Sequence, residues 1–212
     1  MTGWLSLLWW VAEAAAQERW AGHQVTITTR KVPLLGTIET RQDVYMIADV
    51  VREGDSLVLT ERPCTIGIRS GEKVRLSFNP AGVRRIPDTP IRYTPENGVY
   101  SGSWTGGWGE RDVDGDGQAG FLVQVEAPVC DGTMSIATVT ATRGSAIAAA
   151  GGLDGNVRIA LDRHILDTSN ACLALVPKRS EETIDGWFSY RPTDASATCD
   201  GLLAAGWPVR AR

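Results

Sequence analysis

Polar and apolar residues alternate along most of this chain with a period of two. Gln24-Val25-Thr26-Ile27-Thr28-Thr29 alternates in this way and is rich in β-branched residues, as a strand with one buried face requires. Residues 44–52 and 56–61 flank Glu53-Gly54-Asp55, and together they read as a hairpin. Residues 72–78 put Val74, Leu76 and Phe78 on one face. Residues 121–125, 134–142, 156–161 and 187–190 continue the pattern. No segment sustains an apolar stripe at helical spacing. The alanines of 146–150 allow one helical turn before Gly151-Gly152 stops it. Residues 84–110, with Pro87, Pro90 and Pro95, read as the longest irregular segment. Short strands broken by Gly, Pro and Asp predict an all-β fold, either an antiparallel β-barrel or a β-sandwich.

The first residues depart from this pattern. Residues 4–12 are apolar apart from Ser6, and Glu13 and three alanines follow. An apolar centre and then small residues is the order of a signal peptide, so cleavage is expected after Ala16. No Lys or Arg precedes the apolar run. The run is too short to span a bilayer, which takes about 20 apolar residues. With residues 1–16 removed, 17–212 form a single β domain, and the protein is expected to be exported: periplasmic, cell-surface or secreted.

Export changes how the cysteines are read. Cys64, Cys130, Cys172 and Cys199 all follow the signal, an even number bound for an oxidising compartment, so two disulfides are expected. A zinc site fits poorly, because there is no C-x-x-C and both histidines, His23 and His164, are distant from the cysteines in sequence. Cys130-Asp131-Gly132 recurs as Cys199-Asp200-Gly201, each after an aromatic-led strand. This suggests pseudo-repeated halves, about 24–132 and 133–201, each closing its own bridge: Cys64–Cys130 and Cys172–Cys199. Chance repetition of a common Asp-Gly turn is the alternative. The net charge of −4 and the scattered arginines give no basis for binding nucleic acid.

Candidate chemistry is concentrated in Asp112-Val113-Asp114-Gly115-Asp116-Gly117-Gln118. This segment resembles the D-x-D-x-D-G calcium loops of EF-hands, dockerins and thrombospondin-type repeats. Ca²⁺ takes six to eight oxygens, and alternate aspartates on a tight loop converge on one point. The resemblance implies Asp112, Asp114 and Asp116 as side-chain ligands and Gln118 as a backbone-carbonyl ligand. Val123 stands where an EF-hand has its bidentate glutamate, so Glu110 or water would complete the shell. An Asp/Gly turn without any ion is the competing reading.

Upstream, Gly102-Ser103-Trp104 is similar to the G-x-W motif of lipocalins, although that family carries it on the first strand. The similarity implies a calycin-like barrel. Tyr100, Trp104 and Trp108 form a candidate aromatic platform for a small molecule or glycan, with core packing as the alternative. Asp162 and His164 share one strand face, but neither a G-x-S-x-G motif nor a free cysteine accompanies them. The expected function is therefore a non-catalytic binding or surface role assisted by calcium. The alternative is an exported hydrolase acting on carbohydrate or lipid.

Overall fold

The computed structural model describes residues 17–32, 36–71, 74–128 and 130–211. The expected signal, residues 1–16, lies outside them. Ten strands make up a single antiparallel sheet: β1 (Glu18–Val32), β2 (Gly36–Glu53), β3 (Ser56–Ser70), β4 (Val74–Phe78), β5 (Thr89–Glu96), β6 (Val99–Gly107), β7 (Phe121–Glu126), β8 (Gly132–Ala149), β9 (Gly152–Thr168) and β10 (Arg179–Thr193). The described residues also include two short helices, α1 (Pro80–Val83) and α2 (Cys199–Ala205), and a 3-10 turn at Leu173–Leu175. Among the described residues no helix is long and apolar enough to cross a membrane.

Each alternating segment lies within a strand, with Glu72 and Lys73 outside the described residues. The expected β2–β3 hairpin forms, with Gly54 at φ +59° in its turn. Two expectations are corrected. Residues 146–149 are strand rather than helix, and Ala150 and Gly151, both at positive φ, turn the chain into β9. Residues 84–110 are not irregular, because they contain the β5–β6 hairpin with Asn97-Gly98 at its tip. Both tip residues have positive φ, the conformation for which Asn-Gly is the preferred two-residue turn.

The sheet closes on itself. Strands β3, β2, β1, β10, β9 and β8 pair in succession, and the remaining wall between β3 and β8 is built in two tiers. In the first tier Leu57–Glu61 of β3 pairs with β5, β5 with β6, and β6 with residues 139–146 of β8. In the second, residues 67–70 of β3 pair with β4, β4 with β7, and β7 with residues 132–136 of β8. The first route gives an eight-stranded ring. Bulges interrupt two ladders: Cys64, between the tiers, is unpaired in the β2–β3 ladder, and Leu166, within the second tier, in the β8–β9 ladder.

Each tier has its own core. Trp20, Leu59, Ile91, Tyr93, Leu153 and Phe188 fill the first, and Phe78, Val83, Trp108, Phe121, Val123 and Ile136 fill the second. A third cluster lies on the outer face, where α2 and Trp207 cover Ile47, Cys64 and Cys199.

The disulfides are Cys64–Cys199 and Cys130–Cys172, with Cα separations of 5.3 and 6.0 Å. This corrects the expected Cys64–Cys130 and Cys172–Cys199 pairs. Strand adjacency decides the pairing: Cys130 leads into β8 and Cys172 follows β9, whose ends pair at Met134 and Thr168. Alternation from Leu57 and Leu59, which face the first core, turns Cys64 toward the outside, where α2 brings Cys199. The repeated tripeptide takes two local forms. Asp131 Oδ1 accepts from Ala127 N–H at 2.6 Å just before β8. Cys199-Asp200-Gly201 opens α2, capped by the Thr198 hydroxyl, which accepts from Gly201 N–H at 3.1 Å. Two disulfides fit an oxidising compartment, and no free cysteine occurs among the described residues.

Candidate functional site

The aspartate loop joins β6 to β7 and lies against the second core. It leaves the barrel wall at Gly107 (φ +97°), where a Cβ would stand 2.2 Å from the Thr138 carbonyl oxygen, so only glycine fits. Trp108 anchors the exit, its indole N–H donating to the Ile136 carbonyl at 2.8 Å. Gly120 N–H donates to the Arg111 carbonyl at 3.1 Å and closes the base, and Val113 is buried beneath.

Within the loop the carboxylates organise the backbone. Asp112 Oδ1 accepts from Gly115 N–H at 2.7 Å and its Oδ2 from Gly117 N–H at 3.0 Å. Asp116 Oδ1 accepts from Gln118 N–H at 2.8 Å. Asp114 Oδ2 accepts from Leu122 N–H at 2.9 Å, which ties the loop to β7. These bonds bring one oxygen from each of Asp112, Asp114 and Asp116 within 4.8 Å of one another. Asp114 Oδ1 is buried with no hydrogen-bond partner among the described residues. A buried carboxylate oxygen without a partner loses hydration with no return, and a bound cation would supply one.

The three aspartates fit an oxygen-liganded cation. They provide only part of the six to eight oxygens Ca²⁺ takes, so backbone carbonyls or water would supply the others. Glu110 is exposed and does not belong to the converging group. Gln118 takes part through its backbone N–H in the Asp116 turn. Arg85 Nη1 donates to the Asp114 carbonyl at 2.7 Å, and Gly82 of α1 packs so closely that a Cβ there would stand 2.5 Å from Asp114 Cβ. The helix and the arginine fix the position of Asp114, while the nearby guanidinium charge opposes a second cation.

The aromatic platform does not assemble. Trp108 belongs to the second core, whereas Tyr100 and Trp104 pack against the first, with Trp104 edge-on to Tyr93 at 6.0 Å. The turn at Gly107 separates them, and packing accounts for all three. Asp162 is held by Arg179, whose Nη2 donates at 2.8 Å, so it does not orient His164.

Two further polar groups are buried or half-buried. Glu61 follows Leu57 and Leu59 at strand spacing and so faces the first core, where it accepts a hydrogen bond from the Tyr190 hydroxyl. Burial pushes its pKa up to about 7, against a smaller lowering by that hydrogen bond. Its signal was legible, a charged residue on the apolar face of an alternating strand. His23 lies on the outer face of β1 beneath the C-terminal segment. Its Nε2 meets Asp43 Oδ1 at 3.0 Å, and its Nδ1 accepts from Ala211 N–H at 2.9 Å. Burial holds the pKa of His23 below the usual histidine value, although Asp43 opposes that shift. Nothing local in the sequence joins His23 to Ala211, 188 positions away.

Comparison with known protein families, with curated proteins and with solved structures finds no match.

Proposed function

We propose that this chain is an exported β domain with a non-catalytic binding or surface role, assisted by calcium held at Asp112, Asp114 and Asp116. The observation that carries the metal is the convergence of three carboxylates around Asp114, one of whose oxygens is buried without a partner among the described residues. Calcium is favoured over softer metals because every side-chain donor in the group is a carboxylate oxygen. Export is supported by the two disulfides and by the signal-like order of residues 4–16. A calycin-like architecture is supported by the eight-stranded ring, although Gly102-Ser103-Trp104 lies on β6 rather than the first strand.

One observation favours the alternative, an exported hydrolase. Glu61 is a carboxyl group whose pKa lies in the range of a general acid. It faces packed side chains of the first core, where a substrate has no access, which weighs against the hydrolase.

Thermal melts with calcium test the proposal. A site completed by water is expected to bind at about 10⁻⁴ to 10⁻³ M, as extracellular modules do. Calcium at a hundredfold excess over Kd then stabilises by about 2.7 kcal/mol. Magnesium does less, EDTA reverses the gain, and Asp114→Ala abolishes it. A wild-type melt that does not move with calcium, or a calcium shift of equal size in Asp114→Ala, would leave an ordinary Asp-Gly turn.

A further inference from the structure

We propose that the outer face of β8, β9 and β10, beside the C-terminal segment, is a groove for an acidic saccharide with Trp187 as its stacking platform. The proposal rests on the binding role above and gives it a place and a ligand class, but it does not depend on the calcium loop.

Strand register builds the floor. Trp187 of β10 is opposite Asn156 of β9, which is opposite Ser145 of β8. The next row is Asp185, Arg158 and Arg143. Side chains two apart on a strand share a face, so these rows form one surface, while Phe188, Val157 and Ala146 point into the first core. Two depressions, of about 820 and 480 Å³, flank Trp187, and Trp187, Asn156 and Ser145 line both. Residues 208–210 raise a wall along the larger one. That wall is tied to the barrel by Trp207 Nε1–H donating to the Gly22 carbonyl at 3.1 Å and by Ala211 N–H donating to His23.

The chemistry of this surface selects its occupant. A half-buried indole offers an apolar face to the C–H face of a pyranose ring, and the flanking amide and hydroxyl match its hydroxyl groups. Two arginines of the groove have local carboxylate partners: Arg191 with Asp154 at 2.7 Å and Arg158 with Asp185 at 3.9 Å. Arg143 and Arg210 are exposed and make no ion pair among the described residues. One stands in each depression, in a chain whose net charge is −4. Free guanidinium groups on either side of an aromatic platform suit carboxylate- or sulfate-bearing sugars, which arginine can bind through two parallel hydrogen bonds. A peptide is less well served. These strands are paired on both sides within the ring, so they offer no edge for an added strand.

Titration calorimetry of the whole chain, disulfides intact and EDTA present, decides the matter. The probes are a hyaluronan hexasaccharide, chitohexaose as its neutral counterpart, and hexaglutamate as a peptide of like charge. Hyaluronan is expected to bind, with Trp187→Ala weakening it by at least about tenfold. Arg143→Gln with Arg210→Gln is expected to lower its affinity to that of chitohexaose. Trp187→Phe, which keeps an aromatic face, retains binding and guards against a folding defect in the alanine variant. Absence of saccharide binding overturns the proposal, as does hyaluronan binding unchanged in a folded Trp187→Ala variant. Hexaglutamate binding as tightly as hyaluronan overturns it too, by showing a peptide site. A calcium melt on the same samples separates the two readings: a lost calcium response with saccharide binding intact removes the calcium site alone, and the converse removes the groove alone.

Discussion

The two tiers of the barrel share β3 and β8 and the strands behind them, yet they are closed in different ways. The first is completed by β5 and β6, a hairpin with a two-residue Asn-Gly tip, so sheet hydrogen bonds carry the wall from β3 to β8. The second is completed by β4 and β7, which are separated in sequence by the whole first-tier hairpin and the aspartate loop. Its closure therefore relies on added devices: carboxylates that bind backbone N–H groups, a tryptophan anchored on Ile136, and the Cys130–Cys172 bridge near its edge. Where a wall is continuous in sequence, alternation and a good turn are enough. Where it is assembled from distant pieces, side chains and a disulfide replace local pairing, and metal chemistry has a place to enter.

The largest expected effect separates the two bridges. In the chain-entropy model, removing Cys64–Cys199, which spans 135 positions, costs about 5 kcal/mol. Removing Cys130–Cys172, which spans 42, costs about 4 kcal/mol. Denaturant melts of the two double-serine variants measure both. Hydrogen exchange sharpens the comparison: loss of Cys130–Cys172 should expose the amides of β7 and leave β5 and β6 protected. Uniform loss of protection would mean that the tiers are one cooperative unit.

Glu61 probes the first tier. Its folded pKa, raised from 4.5 to about 7, means that the folded state holds a proton the unfolded chain releases. Stability from this group is fully present below pH 4.5 and is lost as pH rises through about 7. Glu61→Gln should remove that slope and stabilise the protein at pH 8 by at most about 3 kcal/mol. Melts of both proteins from pH 4 to 8 check this, and parallel profiles would place Glu61 in contact with water.

Asp114 probes the second tier without any ion. Asp114→Ala in EDTA removes the acceptor of Leu122 N–H and should cost about 1–2 kcal/mol. The cost should fall on β7, read by amide exchange at Leu122.

The smallest effect lies outside both tiers. Below pH 6.5 the unfolded chain protonates His23 while the folded state resists, so stability present above that pH falls as pH drops. Protonated Nδ1 cannot accept from Ala211 N–H, which costs about 1 kcal/mol and frees the C-terminal segment. NMR of the Ala211 amide between pH 7 and 5 follows it. An unchanged amide would show the segment held by Trp207 and the Cys64–Cys199 bridge alone.

Much of the fold was legible in the sequence, because a sheet with one buried face imprints a two-residue period on the chain. β5 and β6 are masked by Pro90 and Pro95, which read as breakers, although Ile91 and Tyr93 carry the alternation and Asn97-Gly98 marks the turn. The aspartate cluster was legible from spacing alone, because its three carboxylates lie within five residues and converge through short-range bonds. Glu110 has no such short-range constraint and does not join the group.

Local pattern thus determined the all-β class, the β2–β3 hairpin, the cysteines' oxidised state and the convergence of Asp112, Asp114 and Asp116. Each depends on residues near one another in the chain or on composition. Tertiary structure alone decided which cysteines pair, how Trp108 parts from Tyr100 and Trp104, and that Trp187, Asn156 and Ser145 share a surface. Those outcomes depend on strand register and on bulges at Cys64 and Leu166, and a shift of one residue turns every side chain to the opposite face.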